Sequence, residues 1–125
     1  AALLRRAGVE VLLLGTGSDP DAFNVRNIKQ EAGNAVAYGM DWNDALRAIT
    51  LAPAELLGVA DRVGSLRAGR AANVVVWSGD PFEFETRVEH VFVRGRRIQS
   101  PSRQNMLMQR YRTLPPNYGE PAKAP

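Results

Sequence analysis

The chain lacks several features that would point to particular classes of protein. It contains no cysteine, which excludes disulfides and metal sites built on thiolates. An apolar run such as Val11–Leu14 is only four residues long, whereas a helix that crosses a bilayer needs about 20 apolar residues. Nothing resembles a signal peptide. Histidine is nearly absent as well, since His90 is the only one.

Arginine dominates the charge of the chain. The 16 basic residues include only two lysines, and the formal net charge is +3. A basic excess can indicate a nucleic-acid or membrane partner, but the one tight cluster, Arg94-Gly-Arg-Arg97, is typical of a hairpin turn. No aromatic residues alternate with it, as they would on a surface that stacks single-stranded bases. We therefore predict scattered, solvated arginines and neither a nucleic acid nor a membrane as partner.

The length and composition of the chain predict one small folded unit. It has 125 residues, of which 45% are hydrophobic and 23% charged, which is ordinary for a globular domain. The sequence begins inside a helix-like segment, Ala-Ala-Leu-Leu-Arg-Arg, without methionine. This beginning favours a piece of a longer protein, whose core is shared with another segment.

The first half of the chain is predicted to be mainly helical. Helices are expected over 1–7, 27–38, 41–51 and 53–58, and a buried parallel strand over 9–14. Asp41 is predicted to cap the third helix. Gly33 lies inside the second helix, where glycine costs about 1 kcal/mol relative to alanine, so close packing is expected there. Trp42 is predicted to be a core residue.

After Gly58 the pattern changes from helical to strand-like. Strands are predicted over 73–77, 88–93 and 96–98, the last two joined by a two-residue turn at Arg94-Gly95. Gly79-Asp80-Pro81 is predicted to break the first of them, and Trp77 to lie in the core. A final helix is expected over 103–111. Residues 113–125 carry four prolines and are predicted to form an arm or a disordered tail.

Two segments, in this order, resemble one known family. They are Asp44-Ala-Leu-Arg-Ala-Ile-Thr-Leu-Ala-Pro-Ala-Glu-Leu-Leu-Gly58 and Asp61-Arg-Val-Gly-Ser-Leu-Arg-Ala-Gly-Arg-Ala-Ala-Asn-Val-Val-Val-Trp-Ser-Gly-Asp-Pro81. They resemble the C-terminal portion of the amidohydrolase superfamily, in its imidazolonepropionase-like branch. The resemblance covers roughly residues 8–112 of this sequence.

The resemblance implies an α/β fold that is incomplete in this chain. Family members are metal-dependent hydrolases built on a (β/α)8 barrel, with a small β-sandwich made from both chain ends. A whole barrel needs about 250 residues. Residues 1–58 would therefore be the last strand and helices of a barrel, 59–99 the C-terminal strands of the sandwich (composite) domain, and 100–125 a terminal helix and Pro-rich tail.

The family's ligand set does not carry over to this chain. It comprises a His-x-His pair, a Lys or Glu, two further histidines and an Asp after the last barrel strand, where members commonly show Gly-Thr-Asp. Here the run is Gly15-Thr16-Gly17-Ser18-Asp19, so the expected carboxylate position is Gly17. Asp19, or Asp21, would have to substitute as the catalytic carboxylate. The alternative is that both aspartates form turns or cap the next helix.

Three further residues, Asn24, Arg26 and His90, could contribute to a site. Asn24 and Arg26 are candidates for substrate binding, because an arginine can hold a carboxylate through two parallel hydrogen bonds. Their alternative roles are a helix cap and a surface arginine. His90 lies in a strand pattern and is predicted to be a surface or edge-strand residue rather than a ligand.

Two functions remain open from the sequence. The first is the C-terminal part of an amidohydrolase-like enzyme that hydrolyses C–N bonds in amides or cyclic amides, inactive as an isolated segment. Its divalent metal, such as zinc, would not be bound by this chain alone, and an N-terminal segment or second polypeptide would supply the rest. The second is a non-enzymatic docking or oligomerisation module. The chain would then dock onto a partner that supplies the rest of the barrel or form a homo-oligomer, since open strand edges invite pairing. The compartment is not indicated.

Overall fold

The computed structural model describes residues 1–15, 25 and 27–113. Four helices come first: α1 (Ala2–Arg6), α2 (Ile28–Ala37), α3 (Trp42–Ile49) and α4 (Leu51–Leu56). Three strands and a last helix follow: β1 (Val74–Trp77), β2 (Val88–Val93), β3 (Arg96–Arg97) and α5 (Arg103–Tyr111). Among the residues described, no helix is both long and apolar enough to cross a membrane.

The helix boundaries follow from local residue chemistry. The Asp41 side chain accepts hydrogen bonds from the backbone N–H groups of Asn43 and Asp44, which confirms it as the N-cap of α3. Thr50, at φ −127° and ψ −79°, separates α3 from α4, so the predicted third helix ends two residues early. Pro53 lies in the first turn of α4, where its missing N–H costs nothing.

The helical half of the chain packs around alanines. Ala32 and Ala35 of α2 meet Ala45 and Ala48 of α3, with Met40 between the two helices. Such small side chains let helix backbones approach closely. No large side chain is fully buried in the described part of the chain. The apolar core formed by the described residues is therefore small.

Residues 9–14 do not form the strand that the sequence predicts. The segment forms neither strand nor helix. Val11 and Leu13 do pack against the alanine core, and the Leu13 N–H donates to the carbonyl of Ala48 at 3.2 Å. A strand needs a neighbour to share its ladder of hydrogen bonds, and the one sheet among the described residues lies further along the chain.

The sheet is antiparallel, in the order β1-β2-β3. Val75 pairs with Val91 and Val76 with His90, and the register is interrupted between Val76 and Trp77. Arg94 and Gly95 join β2 to β3 at φ values of 50° and 75°, the two positive values that a type I′ hairpin turn requires. The Asn73 side-chain carbonyl accepts from the Arg94 N–H at 2.9 Å, which fixes this turn beside the start of β1.

Candidate functional site

A concavity lies between the helices and the first strand. It is a groove of about 840 Å³ lined mainly by apolar side chains. Trp42, Leu46 and Ile49 line it from α3, and Val74 and Trp77 line it from β1, together with Phe82. A smaller depression of about 410 Å³ lies between α1 and α2. An apolar groove of this size can take either an organic ligand or a segment of polypeptide.

A hydrogen-bonded aromatic cluster closes one end of the groove. The Trp42 indole N–H donates to both carboxylate oxygens of Asp80, at 3.1 and 2.9 Å. Asp80 also accepts from the backbone N–H of Phe82 at 2.9 Å. The rings of Trp42 and Phe82 pack at 5.2 Å between centroids and 45° between planes. Asp80, predicted only as a turn former, thus connects the helices to the sheet.

Helix α2 contacts the same cluster from the other side. The Lys29 ammonium lies 5.3 Å from the centroid of the Trp77 ring, within cation–π range, and donates to the Glu83 carbonyl at 3.4 Å. A Cβ on Gly33 would lie 3.0 Å from the Phe82 carbonyl oxygen. The close packing predicted at Gly33 is therefore confirmed, and its partner is Phe82.

Replacing Trp42 by phenylalanine should lower the free energy of unfolding by about 1 kcal/mol, because the ring contact remains but the hydrogen bond to the exposed Asp80 carboxylate is lost. Urea unfolding followed by far-UV circular dichroism would measure this difference. Trp77→Phe is the matched control, since it removes the same indole group without removing a hydrogen bond seen among the described residues. Equal losses in the two variants would contradict a role for the Trp42–Asp80 bond.

A second cluster is made of alternating charges. Arg5 contacts Asp44 at 2.9 Å and Glu10 at 3.4 Å, while Arg47 contacts Glu10 at 3.3 Å and also Glu55. The hydrogen bond that Arg47 donates to the Glu55 carboxylate is the main reason that the pKa of Arg47 is raised above its ordinary value. A raised arginine pKa leaves the guanidinium charged at any ordinary pH, so this contribution would be lost only in strong alkali.

These ion pairs fix the position of segment 9–14. Glu10 is held by one arginine from α1 and one from α3, while Leu13 is bonded to Ala48. Partly exposed pairs add little stability individually. Their effect is geometric, because they tie segment 9–14 to α1 and α3.

His90 lies on the middle strand of the sheet and is half-buried. The Arg97 guanidinium lies 2.8 Å from its Nδ1 atom. Since arginine can only donate, Nδ1 accepts and the ring proton is assigned to Nε2. The ring also meets Phe92 edge-on, at 6.4 Å between centroids and 78° between planes.

The residues predicted for the site lie outside the part of the chain that the structure describes. These are Asp19, Asn24 and Arg26, with Gly17 and Asp21. Their roles remain predictions. Within the described residues, no group of three or more His, Cys, Asp or Glu side chains could hold a metal ion.

Comparison with known proteins identifies the class. Residues 1–98 match the family described as "Amidohydrolase family". This match covers more than half of the chain, so the chain belongs to the amidohydrolase family. The superfamily prediction is thus confirmed, while the imidazolonepropionase-like branch stays a prediction.

Two relatives show how much of such a protein the chain represents. It is 35% identical over 78 residues to "Amidohydrolase tasK" of Hapsidospora irregularis, covering 62% of this chain and 8% of that protein. It resembles the crystal structure of an amidohydrolase from Thermotoga maritima MSB8 with 34% identity and a TM-score of 0.68. That match covers 78% of this chain and 25% of the solved one. The mixed helix and strand arrangement is therefore that of part of an amidohydrolase.

Proposed function

We propose that this chain is the C-terminal part of a metal-dependent amidohydrolase that hydrolyses C–N bonds in amides or cyclic amides. Family membership over residues 1–98, in a chain that spans a quarter of its solved relative, carries the proposal. The proposal includes the imidazolonepropionase-like branch. It also includes residues 1–58 as the end of a barrel, 59–99 as the end of a sandwich, and 100–125 as a terminal helix and tail.

The exposed apolar side chains of the chain support the proposal that its core is completed by another segment. Large apolar side chains are exposed on the helices and in the connections, among them Leu14, Leu56, Leu57 and Leu66, each more than 70% exposed. The groove adds further apolar surface beside β1, whose outer edge pairs with no strand among the described residues. Exposed patches of this kind mark interaction surfaces. We assign them to the remainder of the enzyme, as a preceding segment or a second polypeptide.

The active site in this proposal takes only some of its groups from the chain. The metal would not be held by this chain alone, because the sequence has a single histidine whereas the family's ligand set includes four. Asp19 is assigned as the carboxylate that moves a proton during hydrolysis. Asn24 and Arg26 are assigned to substrate binding. The anchored segment 9–14 precedes these three residues in the sequence.

A chromosomal tag tests the proposal whether a preceding segment or a second polypeptide supplies the remainder of the enzyme. A tag at the C-terminus purifies whichever polypeptide or complex carries the chain in its own cell. We expect a species larger than 13.7 kDa that contains a divalent metal and hydrolyses members of a panel of N-acyl amino acids, dipeptides and lactams. The isolated chain should do neither. Native mass spectrometry and metal analysis would measure mass and metal content, and product formation would report hydrolysis.

Substitution at Asp19 tests the assignment of the carboxylate. In the larger species, Asp19→Asn should lower kcat by about 10²-fold or more, the usual contribution of general acid–base catalysis. Asp61→Asn, on an exposed residue, is the matched control and should leave kcat unchanged. Full activity in Asp19→Asn would refute the role of Asp19, and a metal-free, inert species would refute the hydrolase.

The second function is a docking or oligomerisation module without catalysis. The apolar groove and the unpaired edge of β1 favour it, since an added strand can pair at such an edge. A metal-free homo-oligomer of the 13.7 kDa chain as the only tagged species would select this function instead.

A further inference from the structure

Helix α5 has no packing partner among the described residues. All nine of its residues are exposed, although Met106, Met108 and Tyr111 are 57%, 67% and 60% exposed and apolar. Ser102 is the N-cap of the helix, since its hydroxyl accepts a hydrogen bond from the Asn105 N–H at 3.2 Å. Because so short a helix is marginal in water without tertiary packing, a partner surface is required to stabilise it.

The helix is also basic on one side. Arg103 and Arg110 are seven residues apart, so they lie on the same face, and Arg112 follows directly. Leu107 and Tyr111 are four residues apart and form the neighbouring apolar stripe. Residues 99–113 contain no acidic side chain. The partner of this surface should therefore combine carboxylates with an exposed apolar group.

The connection between β1 and β2 has that combination. We call residues 80–87 the acidic loop: they hold three carboxylates and a single arginine. Phe84 stands between Glu83 and Glu85 and is 86% exposed. No ion pair involves either glutamate, or the arginines of α5, among the described residues. Both surfaces are therefore available and opposite in charge.

The groove is a poorer partner for the helix. The charged side chains that line it, Lys29 and Arg47, are both basic, and would repel Arg103 and Arg110. Nor does α5 contact the acidic loop of its own chain, because α5 is exposed along its whole length. The acidic loop of a second copy of the chain can approach α5 from outside.

We infer that two copies of the chain associate reciprocally, with α5 of each copy bound to the acidic loop of the other. Phe84 packs against Leu107 and Tyr111, and Glu83 and Glu85 pair with Arg103 and Arg110. Such a pairing has two-fold symmetry and closes on itself. Two small, partly polar contacts make a weak dimer, and added salt weakens it because exposed charges are screened. The inference is independent of the proposed hydrolysis.

Charge exchange tests this dimer on the tagged species as purified. One double variant carries Glu83→Arg and Glu85→Arg, and the other carries Arg103→Glu and Arg110→Glu. Each alone should raise the dimer Kd about tenfold or more, because both surfaces then have the same sign. Mixed in equal amounts, they should restore wild-type affinity, because every contact again joins opposite charges. Sedimentation equilibrium at low and high salt measures these constants.

Control variants separate this contact from general charge or folding effects. Arg67→Glu changes an exposed arginine outside both surfaces and should leave Kd unchanged, whereas Phe84→Ala should raise it about tenfold. Far-UV circular dichroism checks that each variant is folded. The inference is overturned if the wild type remains monomeric up to about millimolar concentration, if either double variant dimerises normally, or if the mixture fails to recover. Binding of α5 to anionic lipid vesicles by a monomeric wild type would overturn it too.

Discussion

Replacing Gly64 by alanine is expected to destabilise the chain by about 3 kcal/mol, through backbone strain together with overpacking. Gly64 has φ +91°, where an L-residue with a side chain is strained. A Cβ there would lie 2.7 Å from the Cβ of Ala54 and 3.1 Å from the Thr50 carbonyl oxygen. Neither atom can rotate away, because Ala54 is buried in α4 and the carbonyl belongs to the backbone. Urea unfolding would measure the loss.

Gly69 provides the matched control for Gly64. It has a similar φ of +83°, but a Cβ there would meet no atom within 4 Å. Gly69→Ala should therefore cost only the strain of the left-handed backbone, about 1–2 kcal/mol. The difference between the two variants isolates the steric contact with α4. Equal losses would show that turn 64–66 does not pack against α4 in solution.

Replacing Ala45 by leucine should destabilise the chain by about 2 kcal/mol, the typical cost of overpacking a core. Ala45 is fully buried and lies in the alanine cluster where α3 meets Ala32 and Ala35 of α2. Three additional carbon atoms would force the two helices apart. Thermal unfolding followed by far-UV circular dichroism would record the shift in Tm.

Ala37→Leu is the control for this substitution. Ala37 lies at the exposed end of α2, and leucine and alanine are both good helix formers. We expect a change within about 0.5 kcal/mol, as for most surface substitutions. A loss in Ala37→Leu comparable to that in Ala45→Leu would mean that the effect does not arise from the α2–α3 contact.

Local chemistry accounts for the elements that the sequence predicted correctly. The cap at Asp41, the turn at Arg94-Gly95 and the bounds of α5 each depend on residues a few positions apart. Segment 9–14 shows the opposite case. Its apolar pattern predicted burial, and Val11 and Leu13 are partly buried. Its strand geometry depends on a neighbouring strand, which no local pattern can supply.

The candidate site also combines residues proposed from the sequence with contacts that only the structure shows. Asp19 followed from the resemblance to the family, whereas Asn24 and Arg26 followed from side-chain chemistry. All three lie outside the described residues and remain predictions. The Trp42–Asp80 bond joins residues 38 positions apart, and the sequence offered only a turn at Asp80. An acidic residue in a Gly-Asp-Pro run carries no indication of which indole it will meet.

The sequence by itself determined the family, the order of the helices and strands apart from segment 9–14, and the lack of a histidine or cysteine ligand set. These properties depend on residue identity and on spacing within a few turns of chain. Only the tertiary structure decided that alanines form the core, that a groove remains open beside β1, and that α5 is uncovered. Each of these depends on which distant surfaces meet, because burial is a property of the packed chain and not of any one segment.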